Sequence, residues 1–155
     1  MQILLNITIV VATFFFMEFV AWFTHKYVMH GFLWYLHRDH HQGKEGFFEK
    51  NDSFFVIFAV PSAYCYMTGL MYDDFRLYIG IGISAYGLCY FIVHDIIIHQ
   101  RFKLLRNWNN RYVLAIRRAH KMHHKHFNKE DGENFGMLIV PMRYFSTKYK
   151  DPVLR

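Results

Sequence analysis

Three stretches of the chain are almost continuously apolar. The first covers residues 3–23 and is broken only by Asn6, Thr8, Thr13 and Glu18. The second covers 54–72, with Pro61 near its start, and the third covers 77–93. Each approaches the roughly 20 residues that a helix needs to cross the hydrocarbon of a bilayer. Backbone groups must be satisfied internally there, so the runs predict helices rather than strands. The alternative, buried helices of a soluble bundle, would commit more than a third of the chain to its interior. The first run lacks a basic flank and a small-residue cleavage site, which favours a retained span over a signal peptide. Between and after the spans the pattern predicts shorter elements. Gly31 to His41 reads as a short helix with Trp34 and Tyr35 at the interface and Gly43 as its stop. Arg111 to Phe127 reads as a basic helix whose apolar side (Val113, Leu114, Ile116) suits the membrane surface. The segment after Pro141 is expected to be partly disordered. Gly80, Ser84 and Gly87 form a small-residue stripe suited to close helix packing. The expected fold is one all-α membrane bundle over residues 1–155.

Composition agrees with that pattern. Hydrophobic residues make up 54% of the 155 positions and charged residues 19%, against about 25% charged in an average soluble domain. The net charge of +6 fits membrane lipids as partner better than nucleic acid, because the basic residues share the chain with lipid-like runs. Of the 18 Lys and Arg residues, only Arg76 lies in the 72–76 connector; the rest flank the opposite ends of the spans. The positive-inside rule makes that side cytoplasmic. Cys65 and Cys89 fall inside apolar runs and read as small buried hydrophobes.

Histidine is the anomaly. Ten of eleven fall into four boxes: His25 and His30; His37, His40 and His41; His94 and His99; His120, His123 and His124. The order Hx4H then HxxHH occurs twice, and every box adjoins the basic ends of the spans. In HxxHH the offsets of three and four put the rings on one helical face. In Hx4H the offset of five is about 140° around an ideal α-helix. Such a pair cannot chelate one ion side by side without distortion; it could approach two ions, or the helix could bend at Gly31. Imidazole-rich ligation suits iron or zinc rather than magnesium or calcium, and ten ligands exceed what one ion accepts. A two-metal site on the cytoplasmic side is therefore expected, with all ten rings as ligands. His126 belongs to no box and reads as a surface residue.

Four further residues are candidates for holding the ligands in place. Glu18 lies two helical turns below His25 and is expected to hydrogen-bond a ligand ring. Asp39 and Asp95 adjoin box histidines, and Asn134 lies in a Glu-Asn-Phe-Gly sequence that reads as a loop or a cap on the site.

The boxes also carry a resemblance. Met17-Glu18, His25-Lys-Tyr-Val-Met-His30-Gly31, His37-Arg-Asp-His-His41, Tyr86-Gly87, Tyr90-Phe-Ile-Val-His94-Asp95, His99-Gln100-Arg101, Ala119-His-Lys-Met-His-His124 and Phe135-Gly136 are together similar to bacterial-type carotenoid 3-hydroxylases of the fatty acid hydroxylase superfamily. The resemblance covers about residues 15 to 140. It implies a non-haem di-iron monooxygenase that uses molecular oxygen and a ferredoxin-type electron donor to hydroxylate C3 of β-ionone rings. It further implies conversion of β-carotene to β-cryptoxanthin and then zeaxanthin, and carries the ten box histidines over as iron ligands, with zinc as a substitute in purified protein. The superfamily is usually described with four spans, against three read here. The alternatives are a fatty-acyl or sterol hydroxylase of the same class, and a membrane metal transporter or metal-binding protein. The aromatic residues Phe15, Phe16 and Phe91 are expected along the path of a substrate arriving from the bilayer.

Overall fold

A computed structural model describes residues 1–43, 46–125, 128–130 and 132–146. Within them the chain is helical: α1 Gln2–Phe23, a π-helical segment Thr24–Phe32, α2 Trp34–Gln42, a 3-10 turn Lys50–Asp52, α3 Ser53–Tyr72, α4 Arg76–Phe91, a second π-helical segment Ile92–Ile98, α5 Arg111–His124 and a 3-10 turn Met142–Phe145.

With their flanking turns, three of these helices are long and apolar enough to cross a membrane: Gln2–Phe32, Lys50–Tyr72 and Arg76–Ile98. Only 11% of the first apolar window is buried within the protein. Phe15 (68% exposed) and Phe16 (60% exposed) point outward from it, which is the arrangement of lipid-facing helices and not of a soluble core. Helix α4 packs closely against both α1 and α3, and glycine permits both approaches. A Cβ on Gly82 would lie 2.6 Å from the Thr13 side chain and 2.8 Å from the Val10 carbonyl of α1. On Gly69 it would lie 2.1 Å from the Leu77 backbone nitrogen, where the α3–α4 turn reverses through a left-handed Asp73. The small-residue stripe of α4 is used in part. Ser84 and the Gly80 carbonyl both hydrogen-bond to Ser62 of α3, whereas Gly87 faces open space.

The helices run so that every histidine box collects at one end of the bundle. From Gln2 to His25 the chain rises about 35 Å at 1.5 Å per residue, just past a hydrocarbon slab of about 30 Å. Here α2 ends at a left-handed Gly43, as its sequence predicts. The cap over this end differs from expectation in two ways. Helix α5 is not a surface helix: Val113, Ala115, Ile116, Ala119 and Met122 are all buried in protein. The segment after Pro141 supplies part of that cover, because Met142–Phe145 forms a turn whose Tyr144 is fully buried against Ala115, Ala119 and Met122. Residues 147–155, and with them the rest of the expected disordered tail, lie outside the described residues, as does His126.

Candidate metal centre

The two Hx4H pairs are aligned by π-helical turns. Hydrogen bonds spanning five residues run from Leu33 N to Val28 O and from His99 N to His94 O, each 2.9 Å. A π turn brings residues five apart onto one face, so the 140° separation expected of an α-helix does not apply. The His25 and His30 rings lie 5.3 Å apart and the His94 and His99 rings 4.4 Å apart. Gly31 marks the end of the first turn with non-helical backbone angles.

Nine of the ten box histidines then fall into two groups, within each of which the candidate ligand nitrogens lie within 4.8 Å of one another. Site one comprises His25, His30, His37, His41 and His123. Site two comprises His40, His94, His99 and His120. The repeat read in the sequence reappears here with an exchange. Each half provides its own site with the Hx4H pair and the first histidine of HxxHH. The central histidine of each HxxHH box, His40 or His123, crosses to the other site. His124 is the counterpart of His41. Its ring lies 4.5 Å from His120 and 4.6 Å from His40, and its Nε2 is buried without a hydrogen-bond partner.

The ring nitrogens divide the labour. Nδ1 of His25 donates to the Phe135 carbonyl (3.0 Å), Nδ1 of His30 to Lys129 O (3.1 Å), and Nδ1 of His123 to Glu133 O (2.8 Å). Nδ1 of His37 meets Asn51 Oδ1 at 2.7 Å, Nδ1 of His40 meets Glu49 Oε2 at 2.7 Å, and Nδ1 of His94 meets Asp95 Oδ2 at 3.2 Å. Placing the proton on Nδ1 leaves a bare lone pair on Nε2. Yet Nε2 of His30 lies 3.3 Å from Nε2 of His123, and Nε2 of His40 lies 3.1 Å from that of His94. Two acceptors at this distance repel unless a cation lies between them. Neighbouring ligands at about 2.1 Å from one ion are themselves about 3.0–3.4 Å apart. The donor set therefore fits two metal ions, one in each group.

Burial favours the neutral, ligating form of the rings. It drives His37, His40 and His120 well below the ordinary imidazole range, with neighbouring histidines adding to the effect. His99, His123 and His124 are pushed down to about 2 for the same two reasons.

The other anticipated residues sit one step further out than expected, with one exception. Asp95 meets a box ring directly and is itself held by Arg101 at 2.7 Å. Glu18 bonds no histidine. Its Oε1 accepts the amides of Met137, Leu138 and Ile139, and its Oε2 accepts the Tyr86 hydroxyl. It thereby pins the segment whose Phe135 carbonyl orients His25. Asp39 accepts the Lys50 amide rather than an imidazole. Asn134, in left-handed backbone, donates to Tyr144 and to the Ala119 carbonyl, a loop role. Sequence reasoning missed Glu49 and Asn51, although both lie in the polar Glu49-Lys50-Asn51-Asp52 run at the histidine-bearing end of α3. Phe91 packs on Phe102, whereas Phe15 and Phe16 are exposed on α1.

A family model described as "Fatty acid hydroxylase" matches residues 10–147. The chain belongs to the fatty acid hydroxylase family. Among relatives, a "Beta-carotene hydroxylase" of Pantoea ananas is 40% identical over 136 residues, which is 88% of this chain and 78% of that protein. Another "Beta-carotene hydroxylase", from Paracoccus sp. (strain N81106 / MBIC 01143), is 34% identical across 88% of this chain and 85% of its own. The "Beta-carotene hydroxylase 2, chloroplastic" of Capsicum annuum is 35% identical over 81% of this chain but only 41% of its own length. No solved structure matches the chain. Within this hydroxylase family the two histidine groups are the natural place for metal.

Proposed function

We propose that this member of the fatty acid hydroxylase family is a beta-carotene 3-hydroxylase holding two iron ions in its two histidine groups. Paired groups of inward-facing Nε2 atoms at the end of a lipid-facing bundle carry the reading, and the relatives named above supply the substrate class. Iron with molecular oxygen supplies the strong oxidant that an unactivated C–H bond requires and side chains cannot provide. Each hydroxylation consumes one oxygen molecule, two electrons and two protons, and yields the alcohol and water. A ferredoxin-type protein is the proposed electron donor.

The chain's own residues do the rest. The ten box histidines serve as ligands, and the Nδ1 acceptors hold each ring at a fixed tilt. Glu18 and Tyr86 fasten the 133–139 segment over site one. The apolar faces of α1, α3 and α4 admit a rod-like carotenoid from the bilayer, and the α5 cap excludes water. The basic residues around the histidine end support a cytoplasmic face for it in the bacterial inner membrane.

Expression in cells that accumulate β-carotene tests the reading. With iron and reductant supplied, β-cryptoxanthin and zeaxanthin should appear, and the purified protein should carry two iron ions per chain. Unchanged β-carotene in such cells, or hydroxylated fatty acids or sterols in its place, overturns the substrate assignment. A transporter would place ligands along a path through the midplane, whereas both histidine groups lie at one end.

A further inference from the structure

Among the described residues, Nδ1 acceptors are seen behind six of the nine grouped rings, and they differ in charge between the two groups. In site one, the Nδ1 protons of His25, His30 and His123 go to backbone carbonyls and that of His37 to the Asn51 amide oxygen, all neutral. In site two, His40 is bonded to the Glu49 carboxylate and His94 to the Asp95 carboxylate. Both carboxylates belong to one braced network. Asp95 Oδ1 accepts from Arg101 at 2.7 Å, Arg101 reaches both oxygens of Asp52, and Asp52 Oδ2 accepts the Glu49 amide at 3.0 Å. Three carboxylates against one guanidinium leave this side of the centre negative. The Glu49 and Asp95 side chains are only 20% and 12% exposed, so solvent screens them weakly.

We propose that Glu49 and Asp95 are positioning residues that make the two metal sites electronically unequal, with site two the more electron-rich and the harder to reduce. A carboxylate that accepts the Nδ1 proton draws it away from the ring and raises the basicity of Nε2. Its negative charge also stabilises a trivalent ion more than a divalent one. Carbonyl and amide acceptors fix the ring equally well without adding charge. Site one therefore favours the ferrous state and site two the ferric state. The inference rests on the two-iron reading, and its test separates the two.

The full-length protein, loaded with iron-57 in lipid nanodiscs, is analysed for iron content and by Mössbauer spectroscopy, with a parallel redox titration. The expected result is two irons per chain, two doublets of equal area and two separate one-electron steps. Glu49→Gln keeps an acceptor for His40 and removes the charge. It should shift one doublet only and weaken ferric binding at that site by about 10-fold relative to ferrous, which moves one step upward by about 59 mV. Asp95→Asn should act on the same doublet. Asn51→Asp, which gives His37 a charged acceptor, should instead shift the other doublet and lower the other step. A merely structural role for Glu49 and Asp95 predicts metal loss without a selective change of potential. Two irons with one doublet, or variants that move both doublets equally, overturn the inference while the two-iron reading stands. One iron per chain overturns that reading and the inference with it.

Discussion

At the scale of single residues, six of the rings are fixed through Nδ1 and turn Nε2 toward another ring of their group. The ten histidines announce themselves by type and spacing. Three of their Nδ1 partners in site one do not, because Lys129, Glu133 and Phe135 contribute only carbonyl oxygens, which any residue at those positions could supply. Glu18 illustrates a related difficulty. A carboxylate two turns below a ligand invites a direct bond to it, but three amides brought back by the 137–139 segment compete for the same oxygen. That contact spans more than a hundred residues and leaves no local trace. Glu18 is 6% exposed, so Glu18→Ala leaves three amide donors and the Tyr86 hydroxyl without a partner. Of these, the Met137 amide and the Tyr86 hydroxyl are buried; each unsatisfied buried group costs about 1–3 kcal/mol, so the variant should lose about 2–6 kcal/mol, read as a lower unfolding temperature in detergent. Glu18→Gln, which retains an acceptor oxygen, should lose less. Equal stability of Glu18→Ala and the parent protein would contradict the role given to this carboxylate.

At the scale of elements, the three apolar runs identified their helices to within a few residues, because hydrophobic length is a property of contiguous sequence. What contiguity could not reveal was pitch. An offset of five residues is poor spacing on an α-helix and good spacing on a π turn, and the same offset in both Hx4H boxes was itself the signal that both would be π. Helix α5 was misplaced for the opposite reason. Its apolar side looked ready for a membrane surface, and only the return of Tyr144 shows that protein covers it instead. The packing of α1 on α4 leads to an element-scale prediction. Gly82→Ala must displace Thr13 and the α1 backbone. Overpacking of this kind costs about 1–3 kcal/mol, and separation of the helices would also loosen the Tyr86–Glu18 bond between them. Gly87→Ala, on the same helix but facing open space, should instead gain up to about 1 kcal/mol of helix propensity. Unfolding temperatures of the two variants should therefore move in opposite directions, and a matched loss in both would contradict the assigned interface.

At the scale of the whole molecule, the bundle holds together ten imidazoles that would repel one another if charged. The resulting pH dependence has a definite sign. Free histidine titrates near 6.5, so the unfolded chain takes up protons as pH falls through that value. In the folded protein, burial and mutual repulsion keep His99, His123 and His124 neutral down to about 2. Between those limits the unfolded state binds more protons, and stability falls as pH falls. Metal adds to this slope, since it binds only neutral imidazole and must compete with protons for each Nε2. The exchange of His40 and His123 between sites joins the two effects: each group takes rings from both halves of the repeat, so release from one site loosens the other. Metal content and unfolding temperature should therefore stay level from pH 8 to about 7, then decline together toward pH 5. Chelator treatment at pH 8 should lower the unfolding temperature without abolishing its acid sensitivity, because the buried rings remain. A protein that keeps its full metal content and its unfolding temperature at pH 5 would show that the histidines are not its principal ligands.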